Sequence, residues 1–340
     1  MNKKIFIFLS LSAIVLFITS CELTKPEETF SEDWIAVANI DGSKLKYLCK
    51  GDYRPYFVPD LKNSEQELLM LDSGNRIDLM NLDGSDRRTI IDSVGSIYRF
   101  SDDRTKMLLA NNGDIYIADT DGGGLQNLTG TPDQYEGDPA FSIFEDAVIF
   151  KSIDIADTTA CIAVIDLISL QRKVLFSVPY SGWEYYVSPI FIDESTVIFG
   201  QNCNDTFNMC GLYSFNINTG EKKILDSGGI FSRISYNRNK NLLAYVMTNV
   251  LKHYNPITYE EVEYGLCYRR FIPNFNRNGT LLAVNLNVYD TETIEMYNLL
   301  KNYCDEANST GRTIDFNISS EKAVMQLSRI FPISVKDYKL

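Results

Sequence analysis

The sequence predicts an all-β fold in which a four-stranded unit repeats, and three observations support this. An aromatic residue marks the first strand of each unit at intervals of 39 to 50 residues: Phe57, Phe100, Phe141, Phe191, Tyr236, Phe275 and Phe316. Two positions earlier, four of the ten prolines recur, and we expect them to open the strand, where no ladder donor is needed: Pro55, Pro139, Pro189 and Pro273. Asp-Gly turns lie between alternating apolar runs: Asp41-Gly42, Asp83-Gly84 and Asp121-Gly122.

One complete unit runs from Tyr98 to Phe141. After the strand that ends at Phe100 come an apolar run, an alternating run, an Asp-Gly turn and a fourth short strand, and then the series restarts. An Asp-Gly pair between alternating runs is a strong hairpin signal. Units of about 40 to 50 residues with four strands are typical of β-propeller blades. The sequence therefore predicts a seven-bladed β-propeller, with six or eight blades as the alternative counts and a β-sandwich as the alternative fold.

Each end of the predicted domain holds half a unit. Trp34 to Cys49 contains only strands three and four, and Arg312 to Leu327 contains only strands one and two. We expect them to pair in one blade, which would close the ring and remove exposed sheet edges. Residues 328 to 340 are left over by this pairing. They compete with the N-terminal fragment for the place of the third strand, and the pattern does not decide between the two.

The repeats resemble those of TolB-like, WD-repeat-like propellers. The resemblance rests on Pro139-Ala140-Phe141-Ser142 together with the Asp-Gly-Ser turns, and it covers residues 34 to 327. The first turn of the family pattern is matched only in part, by Ser101-Asp102-Asp103 and Arg277-Asn278-Gly279. The resemblance implies a fold rather than a ligand.

Residues 1 to 20 have the pattern of an export signal, with Lys3-Lys4 before an apolar run from Ile5 to Ile18. Its end, Ile18-Thr19-Ser20-Cys21, resembles the lipobox of bacterial lipoproteins, which implies cleavage before Cys21 and acylation (palmitate or a similar chain) of that cysteine. Glu22 after the cysteine implies the outer membrane. An ordinary signal peptide that ends in cysteine is the alternative. Residues 21 to 33 are then expected to form a flexible tether, and 34 to 340 the propeller domain.

The formal net charge of the chain is −13, and loss of residues 1 to 20, with two lysines and no acid, brings it to −15. A nucleic-acid partner requires a basic stripe that displaces counterions, and the sequence contains none. DNA and RNA are therefore excluded as expected partners.

Six cysteines besides Cys21 suit an oxidising compartment. Cys203 and Cys210 flank a polar loop between two apolar strands, so we predict a disulfide between them. The remaining four are expected to pack in the core or to form a second bridge: Cys49, Cys161, Cys267 and Cys304.

The sequence shows no catalytic constellation. His253 is its single histidine and lies in an alternating segment, and the Gly-x-Ser-x-Gly, His-Glu-x-x-His and phosphate-loop patterns are absent. Oligosaccharide lyases with a seven-bladed propeller use a His-rich metal centre, which one histidine cannot build. We therefore expect neither an enzyme nor a metal or cofactor site, with a propeller lyase or hydrolase as the less favoured alternative.

Ligands of propellers usually dock on the loop face, where the loops from strand four to the next strand one, and from strand two to strand three, lie together. One residue of each unit is expected there, just before the strand-one Pro or Ile: Arg54, Ile97, Asp138, Ser188, Arg233, Ile272 and Thr313. We select Arg54, Asp138 and Arg233 as candidate ligand residues, and add the aromatic residues Trp183, Tyr185 and Tyr186. A ring of mixed charge suits a polar partner. The expected function is a monomeric, envelope-anchored domain that binds a protein, with glycan capture for an uptake system as the alternative.

Overall fold

A computed structural model describes residues 29–39, 44–154, 156–157, 159–179, 185–202, 211–227, 234–247, 250–266, 273–276, 278, 280–284, 287–292, 296–298, 310–316 and 322–332. The described strands are β1 (Thr29–Asn39), β2 (Lys46–Lys50), β3 (Arg54–Asp60), β4 (Asn63–Asp72), β5 (Arg76–Asn81), β6 (Arg88–Asp92), β7 (Ser96–Phe100), β8 (Lys106–Asn111), β9 (Asp114–Asp119), β10 (Gln126–Asn127), β11 (Gln134–Phe141), β12 (Ala147–Asp154), β13 (Thr159–Asp166), β14 (Arg172–Pro179), β15 (Tyr185–Phe191), β16 (Thr196–Asn202), β17 (Gly211–Asn216), β18 (Lys222–Ser227), β19 (Ser235–Asn237), β20 (Leu242–Met247), β21 (Val250–Tyr254), β22 (Glu261–Leu266), β23 (Asn274–Phe275), β24 (Leu281–Val284), β25 (Asn287–Asp290), β26 (Met296–Asn298), β27 (Thr310–Phe316) and β28 (Lys322–Pro332).

These strands pair into antiparallel four-stranded sheets, which confirms an all-β propeller of four-stranded blades. We number five sheets as blades in chain order: blade 1 is β3–β6, blade 2 is β7–β10, blade 3 is β11–β14, blade 4 is β15–β18, and blade 5 is β19–β22. The last two sheets are formed by β23–β26 and by β27, β28, β1 and β2. Every strand of the five blades from blade 1 to blade 5 has described side chains. Strands β25 to β28 of the last two sheets are described by their backbone alone.

Strand one of several blades contains a bulge, and this corrects the expected role of its proline. The pairing register of β11 shifts between Gly137 and Ala140, and that of β15 shifts between Val187 and Ile190. Pro139 and Pro189 lie inside these shifts, whereas the sequence predicted that the proline would open the strand. A bulge frees a residue from ladder pairing, so a proline there removes no required N–H donor.

Strand four of each of blades 1, 3, 4 and 5 is also bulged against strand three. The register shifts opposite Ile77/Asp78, Ile162/Ala163, Leu212/Tyr213 and Leu251/Lys252. Strand four is the outer edge of a blade, and an edge bulge twists the unpaired backbone groups away from another chain.

The core lies between the faces of neighbouring blades. Leu108 and Ile115 of blade 2 cluster with Val148 and Phe150 of blade 3, and all four are fully buried. Alternation along each strand places these apolar residues on one face of the sheet. The aromatic marker Phe57 is 1% exposed and packs with Ile35 of β1.

Two Asp-Gly turns have the backbone that the sequence predicts. Gly84 has φ 91° and Gly122 has φ 93°. A Cβ on Gly122 would lie 2.6 Å from the carbonyl oxygen of Ile90, so both conformation and space require glycine. Asp41-Gly42 lies outside the described residues.

The two ends of the chain pair, as predicted. β1 pairs with β28 over eleven residue pairs, from Thr29 with Pro332 to Asn39 with Lys322. The strand begins at Thr29, five residues before the Trp34 at which the predicted half-unit starts. Residues 328 to 332 explain the difference, since they continue β28 and give Thr29–Asp33 a partner for their backbone groups.

The part of the chain that the structure describes contains no helix long and apolar enough to cross a membrane.

Candidate functional site

The loop face is where strand one of each blade begins and strand two ends. Antiparallel pairing of Arg54 with Asp72 in blade 1, and of Gln134 with Asp154 in blade 3, places these four residues at that face. Arg54 therefore lies at the start of strand one of blade 1, beside the end of strand two.

Arg54 is held over a buried carboxylate. Its Nη1 lies 3.9 Å from Oδ2 of Asp72, whose side chain is 0% exposed, while 38% of the Arg54 side chain is exposed. Its Nη2 lies 3.5 Å from the hydroxyl of Ser96 at the start of blade 2. Asp72 also accepts hydrogen bonds from the amides of Gly74 (2.7 Å) and Ile97 (3.1 Å). The buried carboxylate of Asp72 therefore holds three groups in place: the loop at Gly74, the start of blade 2 at Ile97, and the exposed guanidinium of Arg54.

Asp138 lies in the strand-one bulge with φ 50°, an uncommon conformation for a residue other than glycine. Its Oδ2 is 2.9 Å from Nζ of Lys151 on the adjacent strand, and only 10% of its side chain is exposed. The equivalent residue of blade 4, Ser188, has φ 49° and is 3% exposed. The interpretation of Asp138 as an open ligand group therefore needs correction, because the bulge turns its carboxylate toward Lys151.

The remaining sequence-based candidates are not brought together by any described contact. Arg54 and Asp138 each pair within their own blade. Tyr185 and Tyr186 pair with Asn202 and Gln201 as the first residues of β15, although the sequence suggested a loop. Strand two extends far enough to pair with them, which is why the loop is shorter. Trp183, Arg233 and Cys21 lie outside the described residues.

Two tyrosines at the loop face pack over turns. Tyr135 is 49% exposed. Its ring packs over the turn at Gly113, where a Cβ added to the glycine would lie 3.6 Å from Cδ2 of Tyr135. Tyr53 accepts a hydrogen bond from Arg76 at 3.2 Å, and the guanidinium of Arg87 lies 4.6 Å from its ring centroid. Blade 1 thus presents a tyrosine held by two arginines at the loop face, and blade 3 presents Tyr135.

A buried polar cluster below this face was not anticipated from the sequence. Glu136, with a side chain that is 0% exposed, accepts a hydrogen bond from Nη1 of Arg172 at 3.0 Å. Arg172 also bonds Gln134, which accepts a hydrogen bond from Ser152 at 2.9 Å. Burial raises the pKa of Glu136, while nearby threonine hydroxyls and Arg172 oppose the shift.

The signal that could have found this cluster is a charged residue directly after the turn between strands three and four. Arg172 has that place in blade 3, and Lys222 has it in blade 4, where its Nζ donates to Gln201 at 2.7 Å. Both side chains run inward across their blade toward polar groups near the loop face. Each side chain neutralises a buried charge or donates a hydrogen bond to a buried polar group. Burial of such a group without a partner would cost free energy.

The predicted disulfide between Cys203 and Cys210 lies outside the described residues, as do Cys267 and Cys304. Cys49 and Cys161 are free thiols. Burial raises the pKa of both thiols, so neither is an activated nucleophile. Within the described ranges, no group of three His, Cys, Asp or Glu side chains is placed to hold a metal ion.

No protein-family model and no curated protein matches the chain. Solved structures do resemble it. An oligogalacturonate lyase from Vibrio parahaemolyticus is 14% identical, with a TM-score of 0.63 over 89% of this chain and 98% of that one. TolB from Acinetobacter baumannii is 14% identical, with a TM-score of 0.52 over 88% of this chain and 64% of that one. The chain folds as a TolB-like β-propeller.

A third structure corrects the expectation that the chain is not an enzyme. A puromycin-hydrolyzing peptidase from Mycobacterium tuberculosis is 14% identical, with a TM-score of 0.55 over 79% of this chain and 51% of that one. The peptidase and the lyase show that this propeller fold occurs in enzymes as well as in TolB. Since one fold carries many functions, missing motifs on a propeller do not rule out catalysis.

Proposed function

We propose that this TolB-like propeller is a lipid-anchored protein of the bacterial cell envelope that binds a protein partner on its loop face. The observation that carries the proposal is the placement of Arg54, half-exposed, over the fully buried Asp72. A cation held by a buried acid loses little conformational freedom on binding, and a fixed guanidinium can donate two hydrogen bonds to a carboxylate.

Tyr135 extends this surface to the third blade. It is 49% exposed and packs over the turn at Gly113. Tyrosine and arginine are among the residues that most often dominate the binding energy of protein interfaces. Arg54 and Tyr135 are therefore the two groups that we expect a partner to contact.

Glycan binding is the second candidate, because Arg54 and Arg76 are exposed cations on the loop face of an acidic protein. Their buried partners are Asp72 and Asp78, whose side chains are 0% and 3% exposed. Such cations suit an acidic sugar, and one structural neighbour is an oligogalacturonate lyase.

The anchor and the ring are further parts of the proposal. Acylation of Cys21 would tether the mature chain to the outer membrane, and replacement of Cys21 by Ser should release the protein from the membrane fraction. We also propose that the ring closes with seven blades, supported by the antiparallel pairing of β1 with β28.

Site-specific photo-crosslinking tests the binding function. A photoreactive residue at position 135 in the anchored full-length chain should give one discrete protein adduct in cells, and Arg54→Glu should abolish it. Lys62→Glu, on the opposite face, is the matched control and should leave the adduct unchanged. A thermal shift with oligogalacturonate and no protein adduct would replace the protein proposal with the glycan one, and the absence of both would refute both.

A further inference from the structure

We infer that a second interaction surface lies on the face opposite the loop face, and that it takes a basic protein partner. This turn face is formed by the turns from strand one to two and from strand three to four. Among the residues that the structure describes, ten large apolar side chains are exposed, and seven of them lie in those turns: Leu61, Leu125, Phe144, Ile168, Leu170, Ile257 and Tyr259. Val174 and Ile224 are the third residues of β14 and β18, and Tyr135 lies at the loop face.

The turns after strand three of blades 3, 4 and 5 have one backbone structure. Each begins with a cap residue, Asp166, Asn216 or Asn255, whose Oδ1 accepts hydrogen bonds from the amides two and three positions later, at 2.6 to 3.1 Å. The cap's carbonyl oxygen then accepts the amide of the fourth residue after it at 2.8 to 2.9 Å. The cap and the backbone therefore build the turn, whichever side chains follow.

Blades 3 and 5 place apolar residues where blade 4 has polar or small ones. The second position after the cap is Ile168, Asn218 or Ile257, and the two isoleucines are 89% and 63% exposed. The fourth position is Leu170, Gly220 or Tyr259, with φ of 56°, 73° and 63°.

A leucine or tyrosine at positive φ is strained, and it gains no burial when exposed. Leu170 and Tyr259 are 42% and 71% exposed. A glycine at their position, as in blade 4, would therefore stabilise the turn more than either side chain does. Neither side chain belongs to a hydrophobic cluster of the described residues. Exposed apolar residues mark an interaction site where they lie together in one patch.

Phe144 adds a further apolar side chain to the turn face of blade 3. It is 67% exposed in the turn between strands one and two. That turn adjoins the next one, because the amide of Leu167 donates to the carbonyl oxygen of Asp146 at 2.8 Å. Blade 3 therefore presents Phe144, Ile168 and Leu170 together.

The charges around these residues define the partner. The exposed charges in or beside the turns of blades 3 to 5 include four lysines, Lys173, Lys222, Lys223 and Lys240, and a larger number of acids: Asp146, Asp193, Glu194, Glu221, Glu260 and Glu261. Among the described ion pairs, Lys223 joins Glu221 at 3.2 Å and Lys240 joins Glu292 at 2.9 Å, whereas none joins a cation to Asp193, Glu194 or Glu260. An acidic rim repels a second copy of this chain and an anionic lipid surface. It favours a protein whose apolar side chains are flanked by lysine and arginine.

Blade 4 supplies the design of the test. The full-length variant Ile168→Asn, Leu170→Gly, Ile257→Asn, Tyr259→Gly gives blades 3 and 5 the turn residues of blade 4. The probe is a synthetic helical peptide of leucine and lysine, with a leucine and glutamate peptide as its matched control. We expect the unchanged protein to bind the lysine peptide, the variant to bind it at least tenfold more weakly, and added salt to weaken the binding.

Four results would overturn the inference. These are failure of the unchanged protein to bind the lysine peptide, equal affinity of the variant, tighter binding of the glutamate peptide, or a melting temperature of the variant clearly below that of the unchanged protein. The last would mean that the four side chains stabilise the fold. A variant that melts at the same or a higher temperature and loses the peptide supports the inference. Arg54→Glu should retain peptide binding, which separates this surface from the loop face.

Discussion

Arg238 of blade 5 donates a hydrogen bond to the carboxylate of Asp102 in blade 2 at 2.7 Å, although the two residues are 136 positions apart. The same guanidinium donates to the carbonyl oxygens of Ser142 (2.8 Å) and Ile143 (3.0 Å) in blade 3. All four residues follow strand one of their blades, so one side chain joins three blades on the turn face. In the opposite direction, Arg99 of blade 2 donates to the carbonyl oxygen of Ile234, just before strand one of blade 5.

Replacing Arg238 by alanine should lower the free energy of unfolding by about 1 to 3 kcal/mol, because two backbone carbonyls lose their charged donor. Asp102→Ala should cost under about 1 kcal/mol, since that carboxylate is 67% exposed and surface ion pairs contribute little. Urea unfolding of both variants measures the difference. Equal losses would show that the ion pair, rather than the carbonyl contacts, stabilises the junction. Lys223→Ala, in an exposed pair with Glu221, is the control and should change little.

The single histidine should make stability pH-dependent. His253 is 6% exposed, and burial lowers its pKa in the folded protein. Between that lowered value and the ordinary value of about 6.5, the unfolded chain binds more protons than the folded one. Stability should therefore fall as the pH drops below about 6.5 and should be retained above it.

The His253→Gln variant isolates this effect. It should lose the part of the pH dependence that lies just below about 6.5, while carboxylates continue to act at lower pH. Because the chain has one histidine, its imidazole resonances report the pKa directly by NMR. A measured pKa at or above the ordinary value would contradict the prediction.

The fold was predictable because its determinants are local. Alternation, aromatic markers such as Phe57 and Asp-Gly turns such as Asp83-Gly84 each depend on one strand or one hairpin. Pairing of β1 with β28 was predictable as well, since each end of the chain held half a unit.

The details of the site depend largely on contacts that the repeat pattern of the sequence does not encode. Asp138 has the sequence position of a ligand residue, yet a bulge pairs it with Lys151. Arg172 reads as a solvated charge after a turn, but it reaches the buried Glu136 of strand one. Tyr259 and Leu170 take positive φ without the glycine that signals it, because the preceding cap residue holds the turn.

The two equivalent turns allow a reciprocal test of strain. Leu170→Gly should raise the free energy of unfolding by up to about 1 kcal/mol, because glycine adopts φ 56° without the cost that a Cβ imposes. Gly220→Leu should lower it by about 1 kcal/mol. A Cβ at Gly220 would meet nothing within 4 Å, so conformation alone would cause the loss. Thermal unfolding of both variants gives the comparison, and changes of the same sign in the two would contradict the strain argument.

Ring closure is tested by two truncations of the chain. Ending it after residue 321 removes β28, and with it the eleven residue pairs to β1 and the ladder to β27. Each of those strands would then expose unpaired backbone groups at an edge, and the blade would keep only the pairing of β1 with β2. We expect a markedly lower and broader melting transition together with concentration-dependent association. Ending the chain after Pro332 keeps every paired residue of β28 and should leave the transition unchanged. If the shorter chain melts as sharply and at the same temperature as the longer one, the terminal strands do not close the ring, because a closed ring that loses its seam cannot keep its cooperativity.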